Sequence, residues 1–246
     1  MSLTRTNLAK TIKKQYFFKL KANITSFTLL IGVQLLALLF SLGGVASSSF
    51  GSSSIRLNTQ YYTADIVIIF TLIWAFVMAI TITTKPHRDL DFTFVTNRLS
   101  SSFANILYLL TVSIVGSMMA ILSDNLLRVI IYTFLDKQFY SSTMGLQEFI
   151  MGISITSFYV LMVCSIGYFV GTLVQISSLF TILLPALFFG SLFLRPSMDE
   201  KPIITNAFEY YLLESSLTLF IVKIVITTAL FFTISTSILN RMEVRQ

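Results

Sequence analysis

Residues 24–45 read ITSFTLLIGVQLLALLFSLGGV, and no Asp, Glu, Lys or Arg occurs anywhere from Ala22 to Ile55. About 20 consecutive apolar residues in a helix cross the hydrocarbon core of a bilayer. Left in water, the same stretch would expose an apolar cylinder with nothing to solvate it. It therefore reads as a membrane span. Its end near Gly43, Gly44, Val45 and Ala46 has the small residues of a signal-peptide cleavage region, but the apolar run is longer than an h-region. We read it as a retained first span.

Upstream, Arg5, Lys10, Lys13, Lys14, Lys19 and Lys21 alternate with Leu8, Ile12, Tyr16 and Leu20. The apolar residues recur every fourth position, which draws a slowly drifting stripe on a helix. Lys10, Lys13, Lys14 and Lys21 fall on the other side, and Lys19 does not respect the division. A basic amphipathic segment before a span predicts an interfacial helix over residues 1–22, held by anionic headgroups. The plainer alternative is a solvated basic tail that only fixes orientation.

Downstream, residues 46–62 are rich in Ser and Gly and read as a flexible loop. A second span is expected over 64–84, ending at Lys85-Pro86, where proline cannot continue the helical ladder. Residues 85–102 are polar, and a third span follows over 103–122. The stretch 123–148 combines Asp124, Arg128, Asp136, Lys137 and Glu148 with the apolar run Leu126–Leu135. It fits either a continuation of the third span or a helix on the outer surface. Further spans are expected over 149–173, 178–194 and 216–239. Pro185 should kink or break the fifth, and 195–214 forms a charged connection.

The bulk numbers agree with this layout. Of 246 residues, 55% are hydrophobic and 11% charged, with a mean hydropathy of +0.82. Soluble domains carry about 25% charged residues. The expected fold is therefore all-α, a polytopic membrane protein of about six spans forming one domain over 1–246. With the N-terminus inside, eleven Lys and Arg fall on the cytoplasmic side and five outside. The positive-inside rule thus places both termini in the cytoplasm of a plasma-membrane protein. The net charge of +6 is explained by this asymmetry and does not call for nucleic acid.

No catalytic constellation stands out. The chain has one His (His87) and one Cys (Cys164), which excludes a multi-histidine metal site and an internal disulfide. A G-x-x-x-x-G-K-[ST] loop is absent, so the chain does not cradle ATP itself. Within the spans the ionisable residues are Asp65, at the edge of the second, and Lys223, in the sixth. A lysine near the bilayer centre costs about 2.5–3.5 kcal/mol on insertion scales. Lys223 either snorkels to the headgroups or pairs with Asp65, Glu209 or Glu214. Gly167 and Gly171 form a G-x-x-x-G, which lets a helix approach closely in lipid. That helix belongs either to the same chain or to another subunit.

The basic leader, the cytoplasmic segment after span two, the tight turn near Gln175, Ser177 and Ser178, and the charged segment between spans five and six together form a pattern. The chain resembles the six-span permease subunits of ATP-binding-cassette (ABC) exporters whose ATPase is a separate polypeptide. The resemblance implies a coupling helix within Lys85–Ser102 that sits on the ATPase, with Lys85, Arg88, Phe92, Phe94, Val95, Thr96, Asn97, Arg98 and Leu99 as its contact residues. It also implies two ATPase copies holding ATP and Mg, a second permease copy or relative, and no cofactor on this chain. The cargo expected is amphipathic or hydrophobic: a peptide, toxin, drug or lipid, antimicrobial peptides included. ABC importer permeases are a poorer match. Ile182, Leu184, Pro185 and Gly171 echo their cytoplasmic motif, but no E-A-A precedes them. A membrane scaffold, a membrane enzyme and a secondary transporter are the alternative classes; the last should bury acids in its spans and show inverted repeats.

Overall fold

The structure, a computed structural model, describes residues 8–44, 46–52, 55–84, 86–87, 98–134, 145–193 and 202–241. Among them the elements, in chain order, begin with α1 (Leu8–Ala22), α2 (Ile24–Ser41), β1 (Ala46–Ser52), β2 (Ile55–Tyr61) and α3 (Asp65–Thr81). There follow the helices α4 (Arg98–Phe134), α5 (Leu146–Ile176), α6 (Phe180–Phe193), α7 (Ile203–Leu212) and α8 (Leu217–Arg241). Apart from one short ribbon, the regular structure among the described residues is helical.

Among the described residues, four helices are long and apolar enough to cross a membrane: α2, α4 from Leu99 onward, α5 and α8. Two apolar helices, α3 and α6, are shorter, at 17 and 14 residues. Their surfaces are nonetheless apolar. Ile69, Ile73 and Val77 recur every fourth residue along α3 and are each more than half exposed, while Val67, Thr71, Trp74, Ala75 and Met78 are buried. On α6 no residue is buried at all. Contiguous apolar surface of this kind does not persist in water; hydrocarbon is its natural solvent.

Two expectations need correction and two are narrowed. Residues 46–62 are not a plain loop. Strands β1 and β2 pair antiparallel, with Phe50 opposite Leu57 and Ala46 opposite Tyr61. The period-2 alternation of Ile55, Leu57, Thr59 and Tyr61 with Arg56, Asn58 and Gln60 is a strand pattern, and here it prevails over the Ser-rich composition. Gly44, at φ 83°, turns the chain out of α2 toward the ribbon in a conformation that favours glycine. Of the two readings left open for 123–148, the continuation holds as far as Phe134, where one 37-residue helix ends. Asp124 and Arg128 lie one turn apart and form an ion pair at 3.0 Å, so each offsets the other's charge within the helix. The 31-residue α5 begins at Leu146, ahead of the expected start. Finally, of the kink or break expected at Pro185, the break does not occur, since α6 runs through it.

Helix α1 is present, and the face it buries is polar. Gln15 and Lys19 are its buried residues, while Ile12, Tyr16 and Leu20 are half-buried and Leu8 is exposed. Lys10, Lys13, Lys14 and Lys21 are exposed.

The chain divides into two compact units. One comprises Leu20–Ala75 and Leu110–Val160. Its core joins Ala37 and Leu38 of α2, Ala64 before α3, Val67 of α3, and Ala120, Leu127 and Ile131 of α4. Polar ties reinforce it: Gln34 donates to the Thr71 hydroxyl at 2.9 Å, and the Trp74 indole donates to the Ser26 carbonyl at 3.2 Å. In lipid such bonds join helices where hydrophobic drive is absent. The other unit comprises Met1–Lys19, Phe76–Leu109 and Leu161–Gln246, and it holds the candidate site.

Candidate functional site

Three features of this second unit stand out. The first is a polar node built on α1. Lys19 is 4% exposed, and its ammonium donates to the side-chain oxygen of Asn105 on α4. The Asn105 amide nitrogen in turn donates to the hydroxyl of Tyr168 on α5 at 3.3 Å. The Tyr168 ring lies 5.8 Å from that of Phe232 on α8. A chain of contacts thus joins α1, α4, α5 and α8, starting from the lysine that broke the amphipathic pattern.

The second is the close meeting of α5 with the C-terminal end of α3. A Cβ placed on Gly167 would lie 2.8 Å from the Phe76 carbonyl oxygen and 3.0 Å from the Ala79 Cβ. One placed on Gly171 would meet the Thr83 side chain and come within 3.2 Å of the Ile80 Cα. One turn further along α5, Gln175 donates to the Thr83 carbonyl, one of those that a helix end leaves without an intrahelical donor. The G-x-x-x-G therefore faces a helix of its own chain.

The third is Lys223. Its ammonium makes an ion pair with Glu214, lies 3.8 Å from the centre of the Tyr210 ring and reaches the Tyr210 carbonyl at 3.5 Å. Of the three acids considered, Glu214 is its partner. Glu209 is in α7, and Asp65, in the other unit, accepts a hydrogen bond from Thr63 at 2.7 Å. The bond from Lys223 holds the Glu214 carboxyl below its usual pKa. A pKa lowered on folding gives a stabilisation that is present at neutral pH and lost as pH falls through the folded value. Thermal stability of the wild type should therefore drop on acidification below the ordinary glutamate value of about 4.3. Glu214→Gln should start lower and lack that part of the acid limb. Superimposable pH profiles for the two proteins would contradict the pairing.

The expected coupling residues Lys85, Arg88, Phe92, Phe94, Val95, Thr96 and Asn97 lie outside the described residues, as does the Arg98 side chain. Leu99, in the first turn of α4, is 38% exposed. Among the described residues no group of three or more His, Cys, Asp and Glu could hold a metal ion. The residue that reading the sequence undervalued is Lys19. Its signal was its position off the basic face, and its partner lies 86 residues away.

Helices of span length with outward apolar faces and buried polar ties define a helical, membrane-embedded protein. No family model, curated protein or solved structure matches the chain.

Proposed function

We propose that the chain is the permease subunit of an ABC exporter, with α2, α3, α4, α5, α6 and α8 as six spans, α1 at the interface and both termini in the cytoplasm of the plasma membrane. In this reading a separate ATPase, present in two copies, supplies the energy and holds ATP and Mg. A second copy of the chain, or a related permease, completes the path, and the cargo is amphipathic or hydrophobic. The observation that carries the proposal is the anchoring of the helix ends on both sides of 85–97. Before that segment, the end of α3 is held by Gly167, Gly171 and Gln175 of α5. After it, the first turns of α4 are held by the Lys19–Asn105–Tyr168 node. A segment that transmits force from an ATPase needs rigid helices on which to act; a solvated linker does not.

The test replaces Phe94, Arg98 and Leu99 together by alanine in the full-length protein. Wild-type chain purified from its native cells in mild detergent should carry ATPase activity and a second polypeptide bearing a phosphate-binding loop. The triple variant should stay monodisperse but lose that polypeptide with its activity, or retain it uncoupled from export. Full retention of binding and transport would refute the assignment.

A further inference from the structure

The first 64 residues of the sequence carry no acid: the first Asp or Glu of the chain is Asp65. The lysines of α1 therefore have no carboxylate on their own helix, and the fold separates them by environment. Lys19 is 4% and Gln15 1% exposed, one turn apart on the inward face. Lys10, Lys13 and Lys14 are exposed, and between them and Lys19 sits Phe17, 56% exposed. At 3.6 residues per turn, Lys10, Lys13, Lys14 and Phe17 fall within about 100° of one another, on the side opposite Gln15 and Lys19. The bond from Lys19 to Asn105 thus fixes the rotation of α1 that keeps this face outward.

We infer that the outward face of α1 is a docking surface for an anionic lipid leaflet, its three ammonium groups taking headgroup phosphates while the Phe17 ring enters at headgroup level. Charge complementarity carries the first half, because a lysine cluster beside a span is drawn to anionic lipid. Phe17 carries the second. An acidic protein surface would satisfy the lysines but offers an exposed phenyl ring nothing in particular, whereas a bilayer interface accepts both. Position agrees as well. Only Asn23 separates α1 from α2, a helix of span length. Its backbone, at φ −106° and ψ 23°, is not helical, so α1 is not obliged to extend α2 as a straight rod. The inference rests on α2 lying in a membrane and not on the exporter reading, so either can fail without the other.

The test uses the full-length protein with Cys164→Ser and Phe17→Cys, labelled with an environment-sensitive fluorophore. It is reconstituted in nanodiscs of phosphatidylcholine alone or of phosphatidylcholine with phosphatidylglycerol, each containing brominated lipid as quencher. Quenching should be strong with phosphatidylglycerol and weak without it. Replacing Lys10, Lys13 and Lys14 by glutamine should reduce the preference by about fivefold per lysine. These side chains are exposed, so folding should not be at risk, and tryptophan fluorescence of Trp74 checks that it is not. Equal quenching in the two lipids, or a preference that survives the triple substitution, would overturn the inference. So would protection of the label by soluble polyglutamate in phosphatidylcholine discs to the extent that phosphatidylglycerol provides, since the face would then be one for acidic protein.

Discussion

Gly167→Ala is expected to destabilise the protein by about 1–3 kcal/mol, the usual cost of overpacking a close contact, and Gly167→Leu to prevent folding. The added methyl group would sit 2.8 Å from the carbonyl oxygen of Phe76, and a helical carbonyl cannot turn aside as a side chain can. Either α5 moves away from α3, breaking the bond from Gln175 to the Thr83 carbonyl, or both backbones distort. Gly171→Ala should cost less, because its nearest obstacle is the Thr83 side chain, which can change rotamer. Gly32 in α2 and Gly190 in α6 supply the internal control, since a Cβ at either meets nothing within 4 Å. Alanine there should be neutral or stabilising by about 0.5–1 kcal/mol, the helix-propensity difference. Thermal unfolding in detergent, followed by the fraction remaining monodisperse, ranks the four variants. A Gly167→Ala protein as stable as Gly32→Ala would show that the close approach of α3 and α5 is mistaken. In a bilayer the ranking matters for function too. Small residues replace hydrophobic drive as the reason helices meet, so loosening this contact should also free the start of the segment proposed to receive the ATPase.

The helices were legible from the sequence wherever a single physical constraint acted along the chain. The absence of charge from Ala22 to Ile55 and the stop at Lys85-Pro86 bound apolar helices directly, because a bilayer selects on length and charge alone. Legibility failed where two constraints competed. At 46–62 turn-forming composition opposed strand alternation, and cross-strand hydrogen bonds, invisible to composition, decided for the ribbon. Beyond Leu122 the charges of Asp124 and Arg128 left a continuation of the span and a separate surface helix both open; one helical turn of separation lets them pair, so the helix continues. Contacts distant in sequence were the least accessible. Three acids competed equally for Lys223 on paper, and only the placement of α7 and of the link at Glu214 selects among them. Gly167 and Gly171 announced a close helix contact but not its partner, since spacing describes one surface of a pair. Lys19 is the clearest case. Its position off the basic face was readable, but that it is buried, bonded to Asn105 and linked through it to Tyr168 follows only from how α1, α4 and α5 meet.

Lys19→Met should destabilise the protein by about 1–3 kcal/mol, although it removes a charge from a place where charges are costly. Two effects oppose each other. Removing water from an ammonium costs several kcal/mol, and methionine of similar length avoids that cost while filling the same space. But Asn105 is itself buried, at 6% exposed, and the substitution takes away the donor to its side-chain oxygen. A buried acceptor left without its partner forfeits about 1–3 kcal/mol. The surroundings of the node have already been shaped around the ammonium, so the orphaned amide decides the sign. Lys19→Met combined with Asn105→Leu should then recover much of the loss, because replacing both partners of a buried polar contact by apolar groups is often neutral. The coupling between the two substitutions should fall in the range of about 0.5–3 kcal/mol seen for residues in contact. Lys10→Met, on the exposed side of the same helix, should stay within about 0.5 kcal/mol of wild type and serves as the reference. If Lys19 is a fifth surface lysine and nothing more, Lys19→Met will be as silent as Lys10→Met, with no rescue to be had from Asn105→Leu. A loss confined to Lys19→Met and relieved by the second substitution would instead establish that α1 is fastened to α4 through a buried ammonium.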